Sequence, residues 1–173
     1  MKMRWMMLAV MALSVSACGG GDGGACGGEK VGGNSLDGSY CEGLDMLFTG
    51  VRLKVQESGD SKFVTIDYLY ADEATTTPLK TLTILFDAGA VMVEENKQIP
   101  ILQASGVVRR IDRDMTINLT DQLESDSQVT FSDYSGDVGS DTAGSFGLLF
   151  KNGRTLLGTF EGPLVDARDT VDG

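Results

Sequence analysis

From Leu36 onward no stretch of a dozen residues carries apolar side chains at the three-to-four spacing of an amphipathic helix; they recur at every second position instead. A period of two sends successive side chains to opposite faces of a strand, so the pattern admits sheets and excludes a helical bundle. Val51, Leu53 and Val55 alternate with Arg52 and Lys54. Val64, Ile66, Tyr68 and Tyr70 alternate with Thr65 and Asp67, and Leu82, Ile84 and Phe86 with Thr81 and Thr83. The same reading predicts strands over Ala90–Glu94, Ile99–Gln103, Gly106–Ile111, Met115–Thr120 and Val129–Tyr134. Turn-forming residues separate them: Asp87-Ala88-Gly89, Glu95-Asn96-Lys97, Asp112-Arg113-Asp114 and Glu124-Ser125-Asp126.

The sharpest local signal is Asn152-Gly153, between Phe146–Lys151 and Arg154–Phe160. That dipeptide favours a two-residue type I′ hairpin, because both central positions need positive φ. Pairing Lys151 with Arg154 sets Leu148 opposite Leu157, Leu149 opposite Leu156, and Gly147 opposite Gly158, a point where the sheet can bend or another segment can approach. Pro100 suits an edge strand or a strand start, and Pro163 is expected to end the last strand. About eight to ten strands in roughly 130 residues, joined mostly by short turns, predict one all-β domain: a single antiparallel β-sandwich or an up-and-down (meander) β-barrel. Its expected bounds are 36–165, with a polar tail over 166–173.

Ahead of the domain, Gly19 to Ser35 holds nine glycines in 17 residues. Such a segment cannot bury enough apolar surface to offset its backbone entropy, and it predicts a flexible tether from residue 18 to residue 35. A phosphate-cradling glycine loop needs a strand before it and a helix after it, and neither flanks this segment.

The first 17 residues are of another kind. Lys2 and Arg4 precede an uncharged apolar run from Trp5 to Val15, too short at roughly 16 Å of helix to cross a bilayer. Val15-Ser16-Ala17-Cys18 then ends the run with small residues and a cysteine. This resembles the signal peptide and lipobox of bacterial lipoproteins. The resemblance implies cleavage before Cys18, acylation of that cysteine (palmitate among the chains), and a stable hold on a membrane, since two acyl chains already suffice for one. Gly19, where enterobacterial lipoproteins retained in the inner membrane tend to carry aspartate, implies an outer-membrane address. Cys18 being lipidated leaves Cys26 and Cys41, which in an oxidising compartment are expected to form a disulfide.

Charge and absences then narrow the chemistry. Loss of Lys2 and Arg4 takes the formal charge from −11 to −13, and so acidic a surface repels phosphate backbones, which excludes nucleic-acid binding. The chain has no histidine, removing the commonest general base, the Ser-His and Cys-His pairs and most zinc sites. Its one tryptophan, Trp5, lies in the signal. No enzyme and no cofactor are expected.

Three local features carry some chemistry. Asp133, Asp137 and Asp141 stand four apart among hydroxyls and glycines, hard oxygen ligands of the kind calcium uses, although Gly139 falls where a ligand belongs and no glutamate closes the loop. The plain alternative is a solvated loop between two strands. Arg109, Arg110 and Arg113 form a basic cluster, a candidate anion or lipid-headgroup contact; Asp112 and Asp114 among them predict a salt-bridged strand end. Asn118-Leu119-Thr120 spells a glycosylation acceptor, which a bacterial lipoprotein has no reason to use. Tyr68 and Tyr70 share the face of Val64 and Ile66, which reads as core or rim. The expected function is therefore non-catalytic: a membrane-held β-domain that binds a protein partner or serves envelope structure. The alternative is a lipocalin-like barrel carrying a small apolar ligand, against which the missing Gly-x-Trp signature counts.

Overall fold

The computed structural model describes residues 31–44, 48–70, 78–113 and 115–169. In chain order its elements are β1 (Ser35–Asp37), the single helical turn α1 (Cys41–Leu44), β2 (Gly50–Ser58), β3 (Ser61–Tyr70), β4 (Lys80–Asp87), β5 (Gln98–Pro100), β6 (Val107–Asp112), β7 (Met115–Asn118), β8 (Gln128–Asp133), β9 (Asp141–Leu149) and β10 (Thr155–Asp166). The protein is all-β, as the period of two predicts. The strands follow the order β5-β8-β9-β10-β2-β3-β4-β6-β7, with β1 added beside β10, and the sheet curls into a half-barrel.

Neither expected architecture is matched cleanly, because the sheet is mixed. β10 pairs antiparallel with β9 from Thr155 to Pro163, then parallel with β2 through Leu164, Val165 and Asp166. A meander places the last strand antiparallel to its neighbours, whereas here one long strand belongs to two wings. Pro163 does not end β10; the strand continues three residues past it, and the change of partner falls at Gly162-Pro163. Gly162 has φ +152°, which a side chain tolerates poorly, and proline has no N–H to place in a ladder, so the pair suits a strand that is changing neighbours. Pro100 lies in the edge strand β5, as its missing donor requires.

One expected strand is absent and two are shortened, Met115–Thr120 to Met115–Asn118 among them. Ala90–Glu94 is irregular, because the Asp87 carboxylate accepts from the Gly89 and Ala90 amides (2.9 and 3.3 Å) and bends the chain away from β4. Ile99–Gln103 reduces to Gln98–Pro100, since Gln103 and Ala104 donate back to Pro100 and form a turn.

The β9–β10 hairpin is present, with a register one residue from the expected one. Phe150 and Arg154 close a three-residue loop, and Leu148 faces Leu156. Gly153 alone takes positive φ (+80°), and Asn152 Oδ1 instead accepts from the Arg154 amide at 3.0 Å. This is the type I turn with a left-handed third residue that three-residue loops favour. Burial explains the choice: Leu148 and Leu156 are buried together, Leu149 and Leu157 point outward, and the expected pairing joins one of each kind.

The corrected register places Gly158 against Phe146, whose ring lies over it, and Gly144 against Phe160 in the same way. The interior is filled by such rings. Tyr68 packs edge-on against Phe48 and Phe146. Phe131 meets Phe86, Tyr134 and Phe160, with its ring centre 4.7 Å from that of Tyr134. The Tyr68 hydroxyl crosses from one wing to the other and donates to the Thr159 carbonyl at 2.6 Å; burial raises its pKa far above the ordinary tyrosine value.

At the N-terminal boundary, Val31 to Ser35, expected as the end of the tether, are built onto β10. Asn34 Oδ1 accepts from the Glu161 amide (2.8 Å), the Gly33 carbonyl from the Thr159 hydroxyl (3.0 Å), and Ser35 pairs with Thr159. Residues 18–30 of that segment lie outside the described residues. Asp166, expected in the tail, is the last residue of β10.

The two glycines that the hairpin register separates give a direct test. A methyl at Gly158 meets the Phe146 ring and comes within 2.8 Å of the Tyr68 hydroxyl, whereas at Gly147 the nearest atom is a Leu157 methyl at 3.6 Å. In urea unfolding of the full chain, Gly158→Ala should cost about 1–3 kcal/mol, the usual range for overpacking, and Gly147→Ala should cost far less.

Candidate functional site

The loop from Asp133 to Asp141 is the richest stretch of polar chemistry outside the ladders. β8 ends in a bulge between Phe131 and Asp133, and the chain returns as β9 at Asp141. Gly136 (φ +79°) and Gly139 (φ +88°) make the reversal, Ser140 Oγ donates to the Asp137 carbonyl (2.6 Å), and the Gly139 amide donates to the Leu164 carbonyl at 2.7 Å. The loop is thereby bound to the end of β10.

That binding separates the three calcium candidates. Asp133 and Asp141 line a cleft of about 410 Å3 together with Asn34 and Glu161, while Asp137 lines a different cleft of about 140 Å3 with Glu57, Asp166 and Arg168. Among the described residues, no group of three Asp, Glu, Cys or His side chains is placed to hold a metal. A period of four in the sequence did not become convergence in space, because Asp137 lines one cleft and Asp133 and Asp141 the other.

The register brings together carboxylates that the sequence keeps apart. Asp133 and Glu161 are both cross-strand neighbours of Ala143, and Asp141 lies two residues before Ala143 on the same face. Three carboxylates therefore surround one methyl group. Glu161 has no signal in the sequence, since its membership depends on the β9–β10 register. In the smaller cleft, Arg168 forms two hydrogen bonds from Nε and one from Nη2 to the Asp166 carboxylate, which hold its pKa at about 2. The Tyr134 hydroxyl is buried with no hydrogen-bond partner among the described residues, and burial, then the Asp137 charge, raises its pKa.

A buried ion cluster also escaped the sequence reading. Asp67 is 2 % exposed although alternation turns it away from the core. Lys54 Nζ lies 2.7 Å and an Arg52 nitrogen 3.8 Å from its Oδ2, and the Thr83 hydroxyl donates to Oδ1 at 2.8 Å. Burial with these partners reads as structural, since a buried carboxylate is retained only when paired.

The other candidates resolve simply. Arg110 pairs with Asp112 at 2.8 Å, the salt-bridged strand end expected from the aspartates among the arginines; Asp114 lies outside the described residues, and Arg109 lies on the opposite face, as the alternation predicts. Tyr68 is core and Tyr70 packs at its margin. Cys41 opens α1 and packs into the core, whereas Cys18 and Cys26 lie outside the described residues. No family model, no curated protein and no solved structure matches the chain.

Titrating calcium into the full-length protein by calorimetry tests the separation of Asp133, Asp137 and Asp141. No saturable heat is expected up to millimolar ion, about the weak end of protein calcium sites; a saturable site lost in Asp137→Asn would contradict it.

Proposed function

We propose that the chain is an outer-membrane lipoprotein, held by acyl chains on Cys18, whose β-domain is non-catalytic and acts by binding protein in the cell envelope. The observation that carries the reading is Val15-Ser16-Ala17-Cys18 after a short apolar run opened by Lys2 and Arg4. The glycine-rich stretch that follows supplies reach between lipid and domain. The absence of histidine from the whole sequence supports a binding role over a hydrolytic one. The ligand-carrier alternative has no observation in its favour: aromatic rings occupy the interior between the wings, and the clefts around the Asp133–Asp141 loop are lined mainly by charged and polar side chains.

The same compartment supports a Cys26–Cys41 disulfide. It would close a loop of about 15 residues and stabilise the domain by roughly 3 kcal/mol in the chain-entropy model. Intact-mass spectrometry of the protein purified from bacterial membranes reads both features. The expected mass is that of a chain beginning at an acylated Cys18, with two hydrogens gained on reduction. An unacylated chain retaining Met1 would remove the anchor, and two free thiols before reduction would remove the disulfide.

A further inference from the structure

We infer that the outer face of the β9–β10 hairpin end is a self-complementary surface on which a second copy of this chain docks about a two-fold axis. Seven large apolar side chains are exposed among the described residues, and two of them, Leu149 and Leu157, are diagonal neighbours on this face. Leu157 leans over Gly147, where no side chain intervenes. Scattered single leucines need no explanation, but an adjacent pair beside a cleft does.

The cleft is about 350 Å3 and has two walls. Glu124 and Asp126 come from the turn before β8, Lys151 and Arg154 come from the hairpin loop, and Leu149 lines the same cleft. Glu124 and the edge of β9 are tied together by the Glu124 amide donating to the Leu149 carbonyl at 2.8 Å, so the walls keep their spacing. Although they share one cleft, Arg154, Glu124 and Asp126 form no ion pair with one another or with any other described residue.

Carboxylates and basic groups of opposite sign on one cleft, with an exposed leucine beside them, can satisfy each other across a two-fold axis. In an isologous contact residue i meets j while j meets i, so one copy's Arg154 reaches the other's Glu124 and Asp126, and the leucines meet at the centre. An external partner would need the same mixture of charge signs with the same spacing, and a second copy supplies it without a further assumption. The net charge of −11 opposes association in general, which makes a local charge match the condition for it. Confinement of both copies to one membrane would raise their effective concentration.

The inference goes beyond the anchored reading and does not need the lipid; the mass spectrum of the same sample reports the anchor separately. The test is sedimentation equilibrium of the full-length protein in density-matched detergent. A reversible monomer–dimer equilibrium is expected. Leu157→Asp and Arg154→Glu should each weaken it by about tenfold or more, the change that 1.4 kcal/mol makes. Combining Arg154→Glu with Glu124→Arg in one chain should restore it, an outcome that micelle sharing alone does not produce. These side chains are exposed, and the far-ultraviolet spectrum checks that each variant keeps its sheet. Should Leu157→Asp lose that sheet, Leu149→Ser probes the same face. A monomer at every concentration overturns the inference, as does association that all these variants leave unchanged.

Discussion

The architecture depends on β10 having two sets of partners. Its first nine residues are held by β9 and its last three by β2, so a single backbone joins the wings of the sheet. The Ala167 amide extends the join by donating to the Val55 carbonyl at 3.0 Å. A second bridge acts above it, where the Tyr68 hydroxyl of β3 donates to the Thr159 carbonyl of β10. A buried hydroxyl and carbonyl that lose each other cost about 1–3 kcal/mol, so this bond also opposes any separation of the wings. Phe146 over Gly158 and Phe160 over Gly144 line the β10 side of the core, and Tyr68 of the other wing packs edge-on against Phe146.

The N-terminal arm is part of the same arrangement. β1 covers the edge of β10 at Leu157–Thr159 that β2 leaves open, and Leu36 enters the core from it. Tyr40 then stacks on Phe150 with ring centres 3.8 Å apart, closing the end of the hairpin. A covered edge cannot pair with a stray strand, so the arm both stabilises the sheet and restricts unwanted association. The point where a tether would leave the domain is thus set by β10, beside Asn34 and Glu161.

Much of this was legible from alternation alone. β2, β3, β4, β6 and β8 fall where the period of two places them, because each turns its alternate apolar side chains to the core, and Pro100 marks an edge because proline cannot donate. The hairpin was legible as a hairpin but not in register: Asn152-Gly153 suits both a two-residue and a three-residue loop, and the burial of Leu148 with Leu156 decides between them. The parallel pairing of β10 with β2 had no local signal, since residues about a hundred positions apart make it. The acidic cluster around Ala143 and the Asp67 ion cluster were hidden because they depend on cross-strand register, while the four-residue spacing of Asp133, Asp137 and Asp141 suggested a convergence that the loop does not make.

The central claim is that β10 makes the two wings one cooperative unit, and native-state hydrogen exchange tests it most directly. Amides of β3 and β4 in one wing and of β8 and β9 in the other should share the highest opening free energy, with those at the β10–β2 junction beside them, as expected when the last amides open only in global unfolding. Two separate protection classes, one per wing, with the junction opening before either, would contradict it.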